Sequence, residues 1–410
     1  MHVVHFSDTY LPRRDGIVTS LRTLARALPP HGYTSTLFAP RYPGSAGDRD
    51  LELRPLASLP SGVAGLRLAA WPRSRHVDAV AAVDPDVVHV HTPGPAGLLG
   101  ILAAQRLGLP LVLTYHTDLH SYANAYRIPT RVLRAGVAAY RRRLGSPRPE
   151  KRIQRRHDLL DHGNAVLLDR ADALVVPTRA VLRRVELPVD PGVLSVIPTG
   201  VAHRAVPVGA AAEFRARCGL GTDPVVLFVG RVNREKGIGL LLGAFAQLRE
   251  AIPAARLVLA GAVYDQGWLR ALLAAPGLEG RVVCTGELPG SDVAAAYAAA
   301  DVFAFPSLTD TQGLVLQEAA LAGLAPLVVD AELNDVGALA GSAHCVSPTV
   351  NAVAGGLERL LADPAFARGV ALRARTSALA HTPDRYAAAM AGVYERAIAR
   401  RLGRAPSLAA

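Results

Sequence analysis

Lysine is nearly absent from this chain. Of 45 basic residues only Lys151 and Lys236 are lysines and the other 43 are arginines, so a lysine retained at 236 marks a position that uses a compact, strongly hydrated ammonium rather than a planar guanidinium. Cysteine is scarce too. Cys218, Cys284 and Cys345 are odd in number, far apart and without a CxxC pair, which signals neither a disulfide framework nor a zinc site and fits a reducing compartment. There are only two tryptophans, Trp71 and Trp268, too isolated to form a stacking platform. Long apolar runs are missing as well. The most apolar stretch, 94–113, is broken by Gln105, Arg106 and Pro110, and reads as a helix followed by a strand rather than a membrane span. The chain enters a strand pattern at His2 with no basic leader, so the expectation is a cytoplasmic protein without a secretion signal.

What is present is a long alternation of apolar strands with helical periodicity. At 410 residues and 50% hydrophobic, the chain is long enough for two domains of about 200 residues, each with its own core. In the first half, strands are expected at 2–6, 34–39, 87–91, 110–115, 173–177 and 193–197, with helices around 17–28 and 96–107. The second half repeats the pattern, with strands at 225–229, 256–260, 281–285, 301–306 and 326–329 and helices near 238–250, 267–275, 291–299, 312–322 and 351–362. Buried parallel strands between helices predict two doubly wound α/β domains. The expected boundaries are 1–203, 204–383 and a closing helical segment 384–410.

The net charge of +11 is concentrated. Residues 127–156 hold Arg127, Arg131, Arg134, Arg141, Arg142, Arg143, Arg148, Lys151, Arg152, Arg155 and Arg156 against one acid, Glu150. Such a stretch is either a solvated helical face or a surface for anionic lipid or an acidic acceptor. A nucleic-acid partner is not expected, because only Tyr140 interrupts the cations and no recognition fold is visible.

Two phrases in the second half carry the chemistry. Gly230-Arg231-Val232-Asn233-Arg234-Glu235-Lys236-Gly237 follows one strand, where a planar fork and a point charge suit the oxygens of two phosphates. Asp310 and Glu318 follow another strand and flank a helix start at Gln312, Gly313 and Leu314, whose free N–H groups and dipole favour an anion. Asp310 is expected in the turn before that helix and Glu318 about two turns into it, so eight residues at about 1.5 Å each would separate them by about 12 Å. In the first half, Gly16 opens a helix directly after a strand and turn, and His116 stands at the carboxyl edge of strand 110–115, where open sheets collect ligands. Asp118 either orients that imidazole, meets an acceptor or caps a helix. Asp84-Pro85-Asp86 has the spacing of a metal-binding DxD but reads as a turn, and His89 and His91 read as a satisfied polar pair at a sheet edge. No metal site is expected.

The order Asp15-Gly16-Ile17, Pro85 through Pro95, Tyr115-His116-Thr117-Asp118, Val196 through Val201, the Arg231 and Lys236 loop, and Ser307 through Ala319 resembles the retaining glycosyltransferases of family 4. The likeness runs from about residue 2 to 380 and is nearest the mannosyl and sulfoquinovosyl glycolipid branch. It implies the GT-B fold, two Rossmann-like domains facing across a cleft with the last helix crossing back to the first. It also implies a metal-independent transfer, with no cofactor, of a hexose-type sugar from a nucleoside diphosphate such as GDP-mannose or a UDP-sugar. The acceptor would be a hydroxyl of a glycolipid or natural-product scaffold. By this resemblance Arg231, Lys236 and the amides of Gln312, Gly313 and Leu314 meet the diphosphate, and Asp310 meets the sugar. Glu318 meets the ribose, Gly16 the phosphate side, and His116 the donor sugar at the reacting centre. The sequence departs from the family pattern in having Asp rather than Glu at 310 and Gln rather than an aromatic at 312. A GT-B epimerase or hydrolase, and a silent sugar-nucleotide-binding subunit, are the competing readings.

Overall fold

The computed structural model describes residues 1–43, 51–62, 65–116, 119–120, 123, 128–149 and 153–404. Thr117, Asp118, Arg127, Glu150, Lys151 and Arg152 lie outside the described residues. The chain divides into one compact unit of residues 1–200 and 382–410 and another of 201–381.

The first unit is built on a parallel sheet of seven strands, in the order β3-β2-β1-β6-β7-β8-β9. These are β1 (His2–Phe6), β2 (Thr34–Pro40), β3 (Glu52–Leu56), β6 (Val87–Val90), β7 (Leu111–Thr114), β8 (Ala173–Val176) and β9 (Leu194–Val196). A small antiparallel hairpin of β4 (Ser58–Pro60) and β5 (Arg67–Ala69) is inserted after β3. Strands buried on both faces must be apolar on both, and Val87, Val88 and Val90 of β6 with Leu111, Val112 and Leu113 of β7 meet that demand. The sequence pattern misses β3 because Glu-Leu-Arg-Pro-Leu is polar and contains Pro55, a composition tolerated where a strand closes a sheet edge.

Within this unit α1 (Gly16–Ala27) follows β1, α2 (Ser74–Ala81) follows the hairpin and α3 (Pro95–Leu107) follows β6. They are succeeded by α4 (Thr130–Leu144), α5 (Arg156–Leu168) and α6 (Arg179–Arg184). Val18, Leu21, Leu24 and Ala25 recur at helical spacing on α1 and are buried. The α3 start is closed by the protein itself. Asp8 accepts from the Ala96 amide at 2.8 Å and from the Thr92 hydroxyl at 2.5 Å, so this helix N-terminus already holds its anion.

The second unit carries six parallel strands in the order β12-β11-β10-β13-β14-β15. They are β10 (Val225–Val229), β11 (Arg256–Ala260), β12 (Val282–Gly286), β13 (Val302–Phe305), β14 (Ala325–Val328) and β15 (His344–Cys345). Numbered within the unit this is 3-2-1-4-5-6, the doubly wound order whose direction reverses between its first and fourth strands. Its helices are α7 (Ala210–Arg217), α8 (Ile238–Ala251), α9 (Gln266–Leu273), α10 (Gly290–Ala299), α11 (Leu314–Leu321), α12 (Ala331–Val336), α13 (Val350–Ala362) and α14 (Pro364–Leu379).

The last helix, α15 (Pro383–Arg404), belongs to the first unit. Its apolar stripe of Tyr386, Ala387, Met390, Val393, Tyr394 and Ala397 packs on Val3, Val112 and Val175 of that sheet. Met390 is fully buried there. Met390→Ala should therefore cost roughly 2–5 kcal/mol through lost transfer energy and a residual cavity. The check is the denaturant midpoint, and an unchanged midpoint would show that the helix is not integral to the fold.

Candidate functional site

The reversal point of the second sheet lies between β10 and β13, and both chemical phrases leave from there. After β10 the chain runs through Arg231 and a short turn to Lys236, then enters α8. Gly237 makes the close approach to β13 feasible: its φ is +71°, and a Cβ there would lie 2.2 Å from the Pro306 carbonyl oxygen. Any side chain would push the two loops apart. After β13, Ser307 through Gln312 lead to α11.

The loops are joined by charge. Lys236 Nζ donates to Asp310 Oδ1 at 2.7 Å, and Arg231 forms an ion pair with Glu235. Burial pushes the Asp310 carboxyl up, but the Lys236 ammonium, hydrogen bonds from Lys236 and Ser307, and the Arg231 charge outweigh it and hold the pKa below the usual value. Sequence reasoning placed these two cations as ready for phosphate. In the structure each is already paired with a carboxylate, because a mostly buried cation needs a compensating charge.

Glu318 behaves oppositely. Burial raises its pKa, against the opposing charge of Arg204 and a hydrogen bond from Tyr297. The Tyr297 hydroxyl donates to Glu318 Oε2 at 3.0 Å. Neither Tyr297 nor Glu235 nor Arg204 was legible as part of the site, since nothing in their local sequence distinguishes them.

Helix α11 corrects one expectation. It begins at Leu314, not 312, because Gly313 caps it in the left-handed region at φ +68°. Asp310 precedes the helix as expected, but Glu318 lies little more than one turn into it rather than about two, so the helical-rise spacing of the two acids does not apply. The α11 start still offers its amides, while the Gln312 side chain turns inward and donates to Gln317 Oε1 at 2.7 Å.

The first unit also reverses direction, between β1 and β6, and there buried imidazoles stand beside the helix-closing carboxylates Asp8 and Asp15. Gly16 is the first residue of α1, whose cap Asp15 accepts from the Val18 amide at 3.0 Å. That carboxylate answers part of the helix start. His116 follows β7 and its Nε2 lies 3.2 Å from His91 Nδ1. His91 Nε2 lies 3.0 Å from His5 Nδ1, and His5 Nε2 is 3.2 Å from the Ser35 hydroxyl. His89 meets Tyr394 at 2.9 Å and Thr114 at 2.7 Å. The expectation of a sheet-edge pair is corrected: β6 is an interior strand, and the register that sets His5 beside His89 completes a cluster. His5 was read only as part of a strand, although an imidazole inside an apolar run is the signal that marks it.

Nitrogens of His5, His89 and His91 come within 4.8 Å of one another. Both ring nitrogens of all three are engaged in hydrogen bonds, and none of their hydrogen-bond partners is a carboxylate, so a divalent ion would bring two uncompensated charges into the core. At the helix α5 surface, His120 and His157 both contact Asp161 at 2.8 Å, a satisfied hydrogen-bonded cluster. The DxD spacing resolves as structure: Asp86 Oδ2 accepts from the His2 amide at 2.6 Å, and Asp84 takes a φ of +47° in the turn.

Comparison with known proteins adds what geometry cannot. A model described as Glycosyltransferase Family 4 matches residues 14–204, and one described as Glycosyl transferases group 1 matches 212–377. A D-inositol 3-phosphate glycosyltransferase of Xylanimonas cellulosilytica is 33% identical over 78% of this chain and 74% of its own. The chain belongs to glycosyltransferase family 4. This family 4 enzyme is also similar to a GDP-mannose-dependent alpha-mannosyltransferase of Mycobacterium tuberculosis, at 28% identity over 81% of this chain and 79% of the other. An alpha-monoglucosyldiacylglycerol synthase of Acholeplasma laidlawii shares 26% over 80% of each. Among solved structures, Anabaena HepE in complex with UDP-glucose superposes with a TM-score of 0.70 at 18% identity, over 96% of this chain and 99% of the other. The expected GT-B fold and retaining sugar-transferase class are met, and the epimerase, hydrolase and silent-subunit readings gain no support.

The neutral histidines set an acid limit on stability. Burial is the first cause in each case, and it holds His5 near 3, His116 near 4, and His89 and His91 well below the ordinary 6.5. The unfolded chain thus binds protons between pH 6.5 and 4 that the folded chain refuses. Their contribution is present above about 6.5 and lost as pH falls, each histidine adding up to about 1.4 kcal/mol per pH unit. Asp8 and Glu318, raised by burial, act in the opposite sense above their ordinary carboxylate values. Urea midpoints should fall from pH 6.5 to 5.5, and His89→Gln should flatten the slope by about one proton; identical slopes would contradict the neutral cluster.

Proposed function

We propose that the second unit binds a nucleoside-diphosphate hexose, GDP-mannose or a UDP-sugar, and that the enzyme passes the hexose with retention to a hydroxyl of a glycolipid or natural-product acceptor. The observation that supports this is the β10/β13 reversal point, where Arg231 and Lys236 leave one strand and Asp310, the α11 amides and Glu318 leave the next. In this reading Lys236, Arg231 and the amides of Gln312, Gly313 and Leu314 receive the diphosphate, whose charge grows as the bond to the sugar breaks. Asp310 takes the sugar hydroxyls and Glu318 those of the ribose. From the first unit, Gly16 serves the phosphate side and His116 the reacting carbon.

Among the described residues no carboxylate is assigned as a covalent nucleophile, in contrast to the paired acids of glycosidases. The reaction proposed is same-face substitution. The bond from C1 to the phosphate oxygen breaks, the acceptor oxygen bonds to C1 from the same side, and the departing phosphate takes the acceptor proton. The enzyme is proposed to need no metal for this.

The basic stretch bears on the acceptor. Arg141 and Arg143 donate to the carbonyls of Ser146 and Pro72, and Arg156 to those of Ile128 and Ala123. Those guanidiniums are partly spent on the fold. Arg131, Arg142, Arg148 and Arg155 are exposed and are proposed to meet anionic lipid peripherally. Among the described residues no helix is long and apolar enough to cross a membrane.

Arg231→Ala should lower donor turnover by about two orders of magnitude, roughly 3 kcal/mol of lost charge stabilisation. Lys236→Ala should do the same, but it also removes the ion-pair partner of Asp310 and so costs roughly 1–3 kcal/mol of stability; the denaturant midpoint and the turnover of folded Lys236→Met, read side by side, separate the two effects. EDTA should leave the wild-type rate unchanged. Near-normal turnover in Arg231→Ala and Lys236→Met would overturn the donor assignment, and EDTA loss rescued by magnesium or manganese would overturn the metal-independent one.

If the acceptor is lipid-linked, the enzyme should bind anionic vesicles at about 50 mM salt and release them at about 500 mM, where screening shortens to a few ångströms. Neutralising Arg131, Arg142, Arg148 and Arg155 together should weaken vesicle binding and leave donor turnover in place. Indifference to vesicles at low salt would favour a soluble acceptor.

A further inference from the structure

The first unit holds a line of four hydrogen-bonding groups that runs from His116 into the core: His116, His91, His5 and Ser35, with successive contacts of 3.2, 3.0 and 3.2 Å. A neutral imidazole has one N–H and one lone pair. Three neutral rings in series therefore have only two fully bonded arrangements. In the first, Ser35 donates to His5 Nε2, His5 Nδ1 to His91 Nε2, and His91 Nδ1 to His116 Nε2, so His116 carries its proton on Nδ1. In the second, every bond is reversed, and His116 Nδ1 becomes an acceptor.

We propose that His5 and His91 are positioning residues which, through this chain, set the nitrogen on which His116 carries its proton. The rings are coupled because flipping one alone would leave two lone pairs or two N–H groups face to face in a buried setting. The same chain lets His116 change from donor to acceptor without taking on charge, since the reversal runs to Ser35, whose hydroxyl serves either way.

The surroundings keep the rings neutral. His5 and His91 are buried at 0% and 1% exposure. His89 on β6, itself bonded to Thr114 and to Tyr394 of α15, borders the line, and His2, three residues before His5 on β1, is the neighbour whose charge, when protonated, His5 feels. The acid acting on His116 is Asp15 at the start of α1, and its effect is smaller than that of burial. The functional consequence rests on the reading of His116 as a residue at the reacting centre; the coupling itself does not.

The test is 15N-histidine NMR of the full chain, reading the Nδ1 and Nε2 shifts of His116, combined with kinetics. Wild-type His116 should be neutral and of one tautomer down to about pH 5. His5→Gln, which leaves His116 and its His91 contact in place, should draw the two His116 shifts together. It should also lower kcat about tenfold while KM for the donor stays within about twofold. Should His5→Gln fold poorly, Ser35→Ala removes the far end of the line with little change of volume. It should drive His116 towards the Nδ1–H form, because an unmet lone pair at His5 costs less than an unmet N–H. Unchanged His116 shifts in a folded variant would overturn the coupling. Shifts that respond while kcat does not would uphold the coupling and overturn the placement of His116 at the reacting centre.

Discussion

The contact on which the second unit's site depends is the ion pair between Lys236 and Asp310, because it ties the loop after β10 to the loop after β13. Gly237 lets those loops approach; the ion pair holds them there. A mostly buried charge is tolerated only with a partner, so each residue fixes the other's conformation before any donor arrives. Glu235 does the same for Arg231. The cost is that the cations are not idle. In the proposed reading a diphosphate shares or displaces carboxylates that already occupy them, and the net gain on binding is the difference between two well-made sets of contacts. That arrangement suits a group whose charge rises during reaction, because a fixed cation answers the added charge without having to move.

The two units meet the same topological situation with different groups. At the reversal point of the second sheet the side chains are charged and paired. At that of the first sheet they are imidazoles that burial keeps neutral, and Asp8 and Asp15 close the helix starts of α3 and α1 from within the protein. A diphosphate needs fixed charge, whereas a reacting centre at which a sugar cation passes from one oxygen to another is served by groups that donate or accept without gaining charge. In the proposed reading this division assigns the diphosphate to the second unit and the reacting carbon to the first.

The sequence shows most clearly what is buried on both sides. β1, β10 and β11 fall on the expected residues because parallel strands between helices must be apolar throughout. β3 was missed because an edge strand is free to be polar. The start of α11 was misplaced by two residues, since whether Gly313 sits inside a helix or caps it depends on its φ and not on its neighbours. At the site, Arg231, Lys236, Asp310 and Glu318 were legible from type and position relative to strand ends. Their partners Glu235, Arg204 and Tyr297 were not, because pairing is a property of the folded surface. His5 was hidden for a related reason: β1 and β6 are paired only in the sheet, and eighty-odd residues of chain separate the rings that touch.

Glu318 shows how a site can oppose the fold that carries it. Its carboxyl is buried, its pKa is raised, and the Arg204 charge and the Tyr297 hydroxyl only partly offset the desolvation. A group whose folded pKa exceeds its unfolded value binds its proton more tightly in the native state, so at neutral pH its ionised form weighs against folding. Fold stability alone would favour an apolar residue or a neutral amide there. A carboxylate held in that position is explained by a ligand with hydroxyl donors to give it, and the proposed ribose has two. The same logic reads the histidine line of the first unit: polar groups that the core must satisfy at every ring are worth keeping only where their hydrogen-bond direction does chemical work.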